Sequence, residues 1–65
     1  MTKKQQKQYE AITTQDEARQ FAIDFQHWQE NQKMYWSEVA EWADVFQRLA
    51  DKYNLQDEFM ENGLI

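Results

Sequence analysis

Apolar residues recur every three or four positions through the middle of the chain, in the stretch YWSEVAEWADVFQRLADKY from Tyr35 to Tyr53. This spacing places side chains on one face of an α-helix. The residues that form the face are Val39, Trp42, Phe46, Leu49 and Tyr53, with Ala43 and Ala50 beside them. We expect Ser37 to be the N-cap of this helix and Asn54 to end it in the left-handed conformation.

A second helix is predicted before it, from about Gln15 to Asn31. Thr14 and Glu17 have the spacing of a capping box, in which each side chain accepts a hydrogen bond from the other residue's amide. The predicted apolar face consists of Ala18, Phe21, Ala22, Phe25 and Trp28.

Polar residues interrupt the pattern between these two helices, at 31–36. Two helices joined here would form a helical hairpin with facing aromatic side chains. The three-four spacing also continues across the break, so one continuous coiled-coil helix is the alternative. We favour the hairpin, because Phe, Trp and Tyr are too bulky for a two-stranded coiled-coil core, which prefers Leu, Ile and Val.

The C-terminal residues predict a short third helix, from Leu55 to Glu61, with Leu55 and Phe59 facing inward. Asn62 and Gly63 supply a stop signal, after which Leu64 and Ile65 are expected to fold back on the helix. The predicted fold is therefore all-α, a helical hairpin with a short C-terminal helix, forming one small domain over residues 13–65.

The first twelve residues are polar and rich in Lys and Gln, and we expect them to form a disordered or loosely packed tail. Their polarity predicts no secretory leader, and no apolar run approaches the roughly 20 residues that a membrane span needs. We therefore expect a cytoplasmic protein without a membrane partner.

Chain length and composition favour self-association. The chain has 65 residues and no cysteine, and chains below about 70–80 residues commonly need a disulfide, a metal or an oligomer to be stable. A homodimer that pairs two hairpins into a four-helix bundle is therefore expected. The net charge is −5, and because an acidic body repels phosphates, direct binding of nucleic acid is not expected.

Catalytic and metal-binding patterns are weak. His27 has Asp24 and Glu30 three residues to either side, but di-iron bundles use paired Glu-x-x-His motifs with inward carboxylates from further helices. The only glycine is Gly63, so no phosphate-binding glycine loop precedes a helix. We predict that the chain is not an enzyme and binds neither a metal nor another cofactor.

Three apolar residues, Ile23, Met34 and Val45, lie off the predicted helix faces. Isolated exposed apolar residues are normal, whereas several on adjoining surfaces would indicate a partner site. Together with Trp36 they form the predicted interaction surface, for a second copy or for another protein.

The segment from Phe21 to Ile65 resembles small uncharacterised proteins encoded by phages and prophages of Gram-positive bacteria. The resemblance rests on SEVAEW at 37–42, on Phe46, Leu49 and Tyr53, and on the ending EFMENGLI. It implies a phage or prophage product in the bacterial cytoplasm, and it implies no activity.

Three functions therefore stay open. The first is a non-enzymatic protein–protein interaction module that binds a host or phage protein. The second is a nucleic-acid-related regulator, either a weak DNA binder that uses its lysine tail or a DNA mimic. The third is an assembly accessory of the phage particle. The acids that a mimic would use are Glu38, Glu41, Asp44, Asp51, Asp57, Glu58 and Glu61.

Overall fold

Four helices account for 72 % of the residues and no strand is present, which confirms the predicted all-α class. The computed structural model describes residues 1–65. Its helices are α1 (Lys3–Glu10), α2 (Gln15–Gln29), α3 (Trp36–Tyr53) and α4 (Gln56–Glu61). The chain divides into two compact units, Met1–Gln32 with α1 and α2, and Lys33–Ile65 with α3 and α4.

The N-terminal segment, expected to be a disordered or loosely packed tail, contains a helix, α1, at residues 3–10. Thr2 and Gln5 build a capping box: the Gln5 amide donates to Thr2 Oγ1 at 3.1 Å, and the Thr2 amide donates to Gln5 Oε1 at 2.8 Å. Such a cap satisfies first-turn amides in a segment without an apolar pattern. No residue of α1 is buried.

Two contacts attach α1 to α2 within the first unit. The Tyr9 ring lies 5.9 Å from the ring of Phe21, and the Gln8 side-chain amide donates to Asp24 at 2.8 Å. Ile12, expected in the tail, is buried. Residue 12, where the predicted tail ends, lies inside the first unit, and the domain boundary after it stays a prediction.

Helix α2 begins as predicted, with Thr14 Oγ1 accepting the Glu17 amide at 3.2 Å. The reciprocal bond differs from the prediction, because the Glu17 carboxylate accepts the amide and hydroxyl of Thr13, at 3.3 and 2.9 Å, and the hydroxyl of Thr14 at 3.1 Å. The predicted core positions of α2 are confirmed for Ala18, Phe21, Ala22 and Phe25. Trp28 is only half-buried.

The continuous-helix alternative is wrong, since α2 ends at Gln29 and residues 30–35 are not helical. The prediction of Ser37 as the N-cap is also wrong. Tyr35 holds that position with an extended backbone, and its carbonyl accepts the amides of Glu38 and Val39, both at 3.0 Å. Ser37 is therefore already inside the helix. Packing of α2 against α3 as a hairpin stays a prediction.

The second unit is built on the aromatic side chains of α3. Trp42, Phe46 and Leu49 are buried as predicted, whereas Tyr53 is half-buried and Val39 is 39 % exposed. The rings of Trp42 and Phe46 stack at 5.8 Å. The placement of Val39 in the core is therefore wrong.

A left-handed turn at Asn54 (φ 58°, ψ 49°) ends α3 as predicted. The Leu55 amide returns to the Ala50 carbonyl at 3.0 Å, and the Leu55 side chain is buried. This turn brings Phe59 of α4 edge-on to Phe46, with ring centroids 5.6 Å apart.

Gly63 (φ 74°) ends α4 with a Schellman motif, in which Leu64 donates to Phe59 at 2.8 Å and Gly63 donates to Met60 at 3.1 Å. The predicted return of the C-terminus is confirmed for Leu64, which is buried.

We expect Asn54→Ala to lower the free energy of unfolding by about 1 kcal/mol, because alanine is strained in the left-handed region. Asn54→Gly is the matched control and should be neutral or slightly stabilising, since glycine adopts this conformation freely. Urea unfolding followed by circular dichroism at 222 nm measures both. Equal unfolding midpoints for the two variants would contradict the role of the turn.

A second prediction concerns pH. Hydrogen bonds from Thr13, and then from Thr14, lower the pKa of Glu17 below its ordinary value of 4.5. A carboxyl with a lowered native-state pKa stabilises the fold above its unfolded-state pKa, and this contribution is lost as the pH falls through the native-state value. The stability of Glu17→Gln should therefore fall less than that of the wild type between pH 5 and pH 3. Thermal unfolding across that range tests this expectation, and parallel curves for the two proteins would refute it.

Candidate interaction surface

A group of apolar side chains stands exposed at the start of α3. Trp36 is 87 % exposed and Tyr35 is 78 % exposed. Val39, Ala40 and Ala43 follow at intervals of three, four and seven residues from Trp36, which place them on the same side of the helix, and all three are exposed. We name these five residues the Trp36 patch.

The lengths of the two helices in the second unit explain why α4 leaves this end of α3 free. At about 1.5 Å per residue, α3 is about 27 Å long and α4 is about 9 Å long. Asn54 and Leu55 connect α4 to the C-terminal end of α3, and Phe59 contacts Phe46. Within this unit, α4 therefore packs against the C-terminal part of α3, where Phe46 lies.

The backbone at Tyr35 fixes the point where the two exposed side chains leave the chain. Tyr35 is extended (φ −78°, ψ 158°) and its carbonyl closes the first turn of α3, while its side chain makes no capping hydrogen bond. Trp36 is the first residue of the helix. The two aromatic residues thus occupy the N-cap and the first position of α3.

Carboxylates dominate the charge of this unit. Residues 33–65 contain seven acidic and three basic side chains, a net charge of −4. Asp44 forms an ion pair with Arg48 at 3.1 Å. Asp51 accepts hydrogen bonds from Gln47 and Gln56 at 3.1 and 3.2 Å. Although some of these acids have partners, carboxylates still outnumber basic side chains in residues 33–65.

The four residues of the predicted interaction surface lie in different places. Trp36 belongs to the patch. Val45 follows nine positions later, which at about 100° per residue puts it on about the opposite side of α3, and it is half-buried. Met34 is also half-buried, and Ile23, 45 % exposed, lies on α2 of the first unit.

Sequence reasoning missed Tyr35 and Val39 as surface residues, as well as Met60, which is 64 % exposed on α4. Tyr35 and Val39 share the apolar spacing of the buried face, so periodicity alone assigns them to the core. A usable signal was the seven-residue length of the predicted C-terminal helix, which is too short to cover all of α3.

Within the group around His27, the Asp24 carboxylate is engaged with other residues. Asp24 accepts hydrogen bonds from Gln8 and Gln20, at 2.8 and 2.9 Å. His27 itself is exposed. The structure contains no cluster of three or more histidine, cysteine or carboxylate side chains arranged to hold a metal ion.

Comparison with known proteins finds no matching family model, no similar characterised protein and no similar solved structure. The resemblance to phage and prophage proteins therefore stays a prediction. None of the four helices combines the length and the apolar character required to cross a bilayer.

The exposure of Trp36 can be measured by its fluorescence. Trp28 is half-buried and Trp42 is 4 % exposed, so Trp36 should supply most of the emission that acrylamide quenches. Trp36→Phe is expected to lower the Stern–Volmer constant and shift the remaining emission to shorter wavelength. Trp42→Phe should act oppositely and raise the constant. Similar quenching of both variants would show that the Trp36 ring is covered in solution.

Proposed function

We propose that this chain is a small non-enzymatic interaction protein of a phage or prophage, which acts in the cytoplasm of its bacterial host. It presents the Trp36 patch to a host or phage protein. The observation that carries the proposal is the 87 % exposure of Trp36 at the start of an 18-residue helix.

Exposed rings on a regular helix are suited to binding. Tryptophan and tyrosine are enriched among the residues that dominate interface energies, and a preformed helix limits the conformational entropy lost on association. Tyr35 and Trp36 together expose on the order of 350 Å². That area lies within the range of about 300–600 Å² of the largest apolar patch on a monomer, which is often functional.

The area also bears on the predicted homodimer. A stable interface buries about 800 Å² per partner, roughly twice the ring surface of Tyr35 and Trp36. A homodimer would have to recruit further surface, and its two acidic C-terminal units would repel each other if the patches met. Homodimerisation stays a prediction that the mass in solution tests.

The alternative of a DNA mimic rests on the acids of α3 and α4. A mimic needs carboxylates spaced like phosphates along a continuous face. The Asp44–Arg48 ion pair places a positive charge within the acidic series of α3. This arrangement gives the mimic less support than the Trp36 patch gives a protein-binding role.

A comparative pull-down tests the proposal. We expect the immobilised wild-type protein to retain one or more proteins from a Gram-positive bacterial lysate, and Trp36→Ser to lose them. Removing an aromatic side chain from the centre of an interface typically costs 2 kcal/mol or more, about thirtyfold in affinity. Ile23→Ser is the matched control, because it also removes an exposed apolar side chain, and it should retain the same proteins.

Circular dichroism of all three proteins establishes that the variants are folded. Retention of the same proteins by Trp36→Ser, or no retention above background by the wild type, would contradict the proposed role.

A further inference from the structure

We infer that α1 is a hinged cover of α2, which opens as a unit at Ala11, lifts the Tyr9 ring off Phe21 and leaves α2 folded. The inference goes beyond the proposed function, because it concerns the first unit and not the Trp36 patch. It is drawn from the side chains by which α1 contacts α2, from the charges of α1 and from the separate cap of α2.

The half-buried side of α1 is mostly polar. Gln5, Gln8 and Tyr9 are half-buried at three-four spacing, and the other five residues of the helix are exposed. Gln8 donates to Asp24 at 2.8 Å, and the Tyr9 ring lies 5.9 Å from the ring of Phe21. Because the burial of apolar surface is the main favourable contribution to packing, a helix held by one half-buried ring is weakly attached.

The charges of α1 oppose its helical conformation. Lys3 and Lys4 are its first two residues, and its first turn contains no acid. Positive charges therefore stand at the positive end of the helix dipole. Lys3 and Lys7 lie four residues apart, which is a destabilising spacing for like charges. With eight residues, α1 is also shorter than the roughly 12–15 residues that an isolated helix needs in water. Away from α2, α1 is therefore not a stable helix.

Helix α2 has its own start, which does not involve α1. Thr14 Oγ1 accepts the Glu17 amide, and the Glu17 carboxylate accepts the amide and hydroxyl of Thr13. Ala11, which is exposed, and Ile12, which is buried, lie between α1 and this cap. Ile12 thus anchors the chain before α2, and Ala11 is the point at which α1 turns away.

Opening changes the surface of the first unit. Phe21 is 2 % exposed with the Tyr9 ring against it. Asp24, the acceptor of Gln8, lies three residues further along the same side of α2. When Tyr9 and Gln8 leave, an aromatic ring beside a carboxylate loses its cover. The position of α1 therefore controls access to this part of α2.

Amide hydrogen exchange, measured residue by residue by NMR, tests the inference. We expect the hydrogen-bonded amides of α1 to share one protection factor, at least about tenfold below that of the central amides of α2 and α3. Tyr9→Ser should bring α1 close to the exchange rates of an unfolded peptide and leave α2 and α3 unchanged. Tyr35→Ser is the matched control, since it removes an exposed tyrosine from the second unit, and α1 should then keep its wild-type rates.

A second variant should close the cover. Lys3→Glu places a carboxylate at the first position of the helix and four residues before Lys7, in the order that favours an ion pair. The exchange of α1 should slow about threefold or more. Lys33→Glu makes the same change of charge outside α1 and should have no effect on it. Because Lys3 is exposed, Lys3→Glu removes no packing contact and keeps the test open if Tyr9→Ser fails to fold.

Three results would overturn the inference. Equal protection of α1 and α2 means that α1 is a fixed part of the first unit. Protection that rises steadily along α1 and does not respond to Tyr9→Ser is the fraying of a chain end. Faster exchange of α2 in Tyr9→Ser means that the two helices open together, without a hinge at Ala11. None of these results bears on the Trp36 patch, which the lysate experiment tests separately.

Discussion

The unequal lengths of α3 and α4 are the constraint on which the second unit depends. One turn at Asn54 brings a six-residue helix back against an eighteen-residue one, and the shorter helix packs where Phe59 meets Phe46. The rings on the C-terminal half of α3 thereby gain a partner from α4. The rings at its other end, Tyr35 and Trp36, stay exposed and are the strongest candidate for binding.

Apolar side chains form the core of this protein, and charged side chains lie at its surface. The core residues are all apolar and no polar side chain is buried, so the stability of the fold depends on ring packing, helix caps and the two turns with positive φ. The charged groups are left at the surface, where carboxylates outnumber basic groups in residues 33–65.

Much of the fold could be predicted from local chemistry. Thr14 caps α2 and Asn54 ends α3 because each signal acts through hydrogen bonds or backbone preferences within a few residues. The helix at residues 3–10 was missed, since its capping box with Gln5 stands in a segment with no apolar pattern. Ser37 failed as a cap because the extended Tyr35 starts the helix earlier, without any side-chain hydrogen bond.

The helical class and the C-terminal ends of α3 and α4 could be predicted from the sequence, and a break after α2 was favoured over one continuous helix, because periodicity, caps and left-handed turns are local properties. Which apolar residues are exposed depends instead on tertiary packing. Val39 and Phe46 share one spacing, yet Phe46 meets Phe59 and Val39 is left at the surface. Periodicity identifies the face of a helix, and the reach of the packing partner along the axis decides how much of that face is covered.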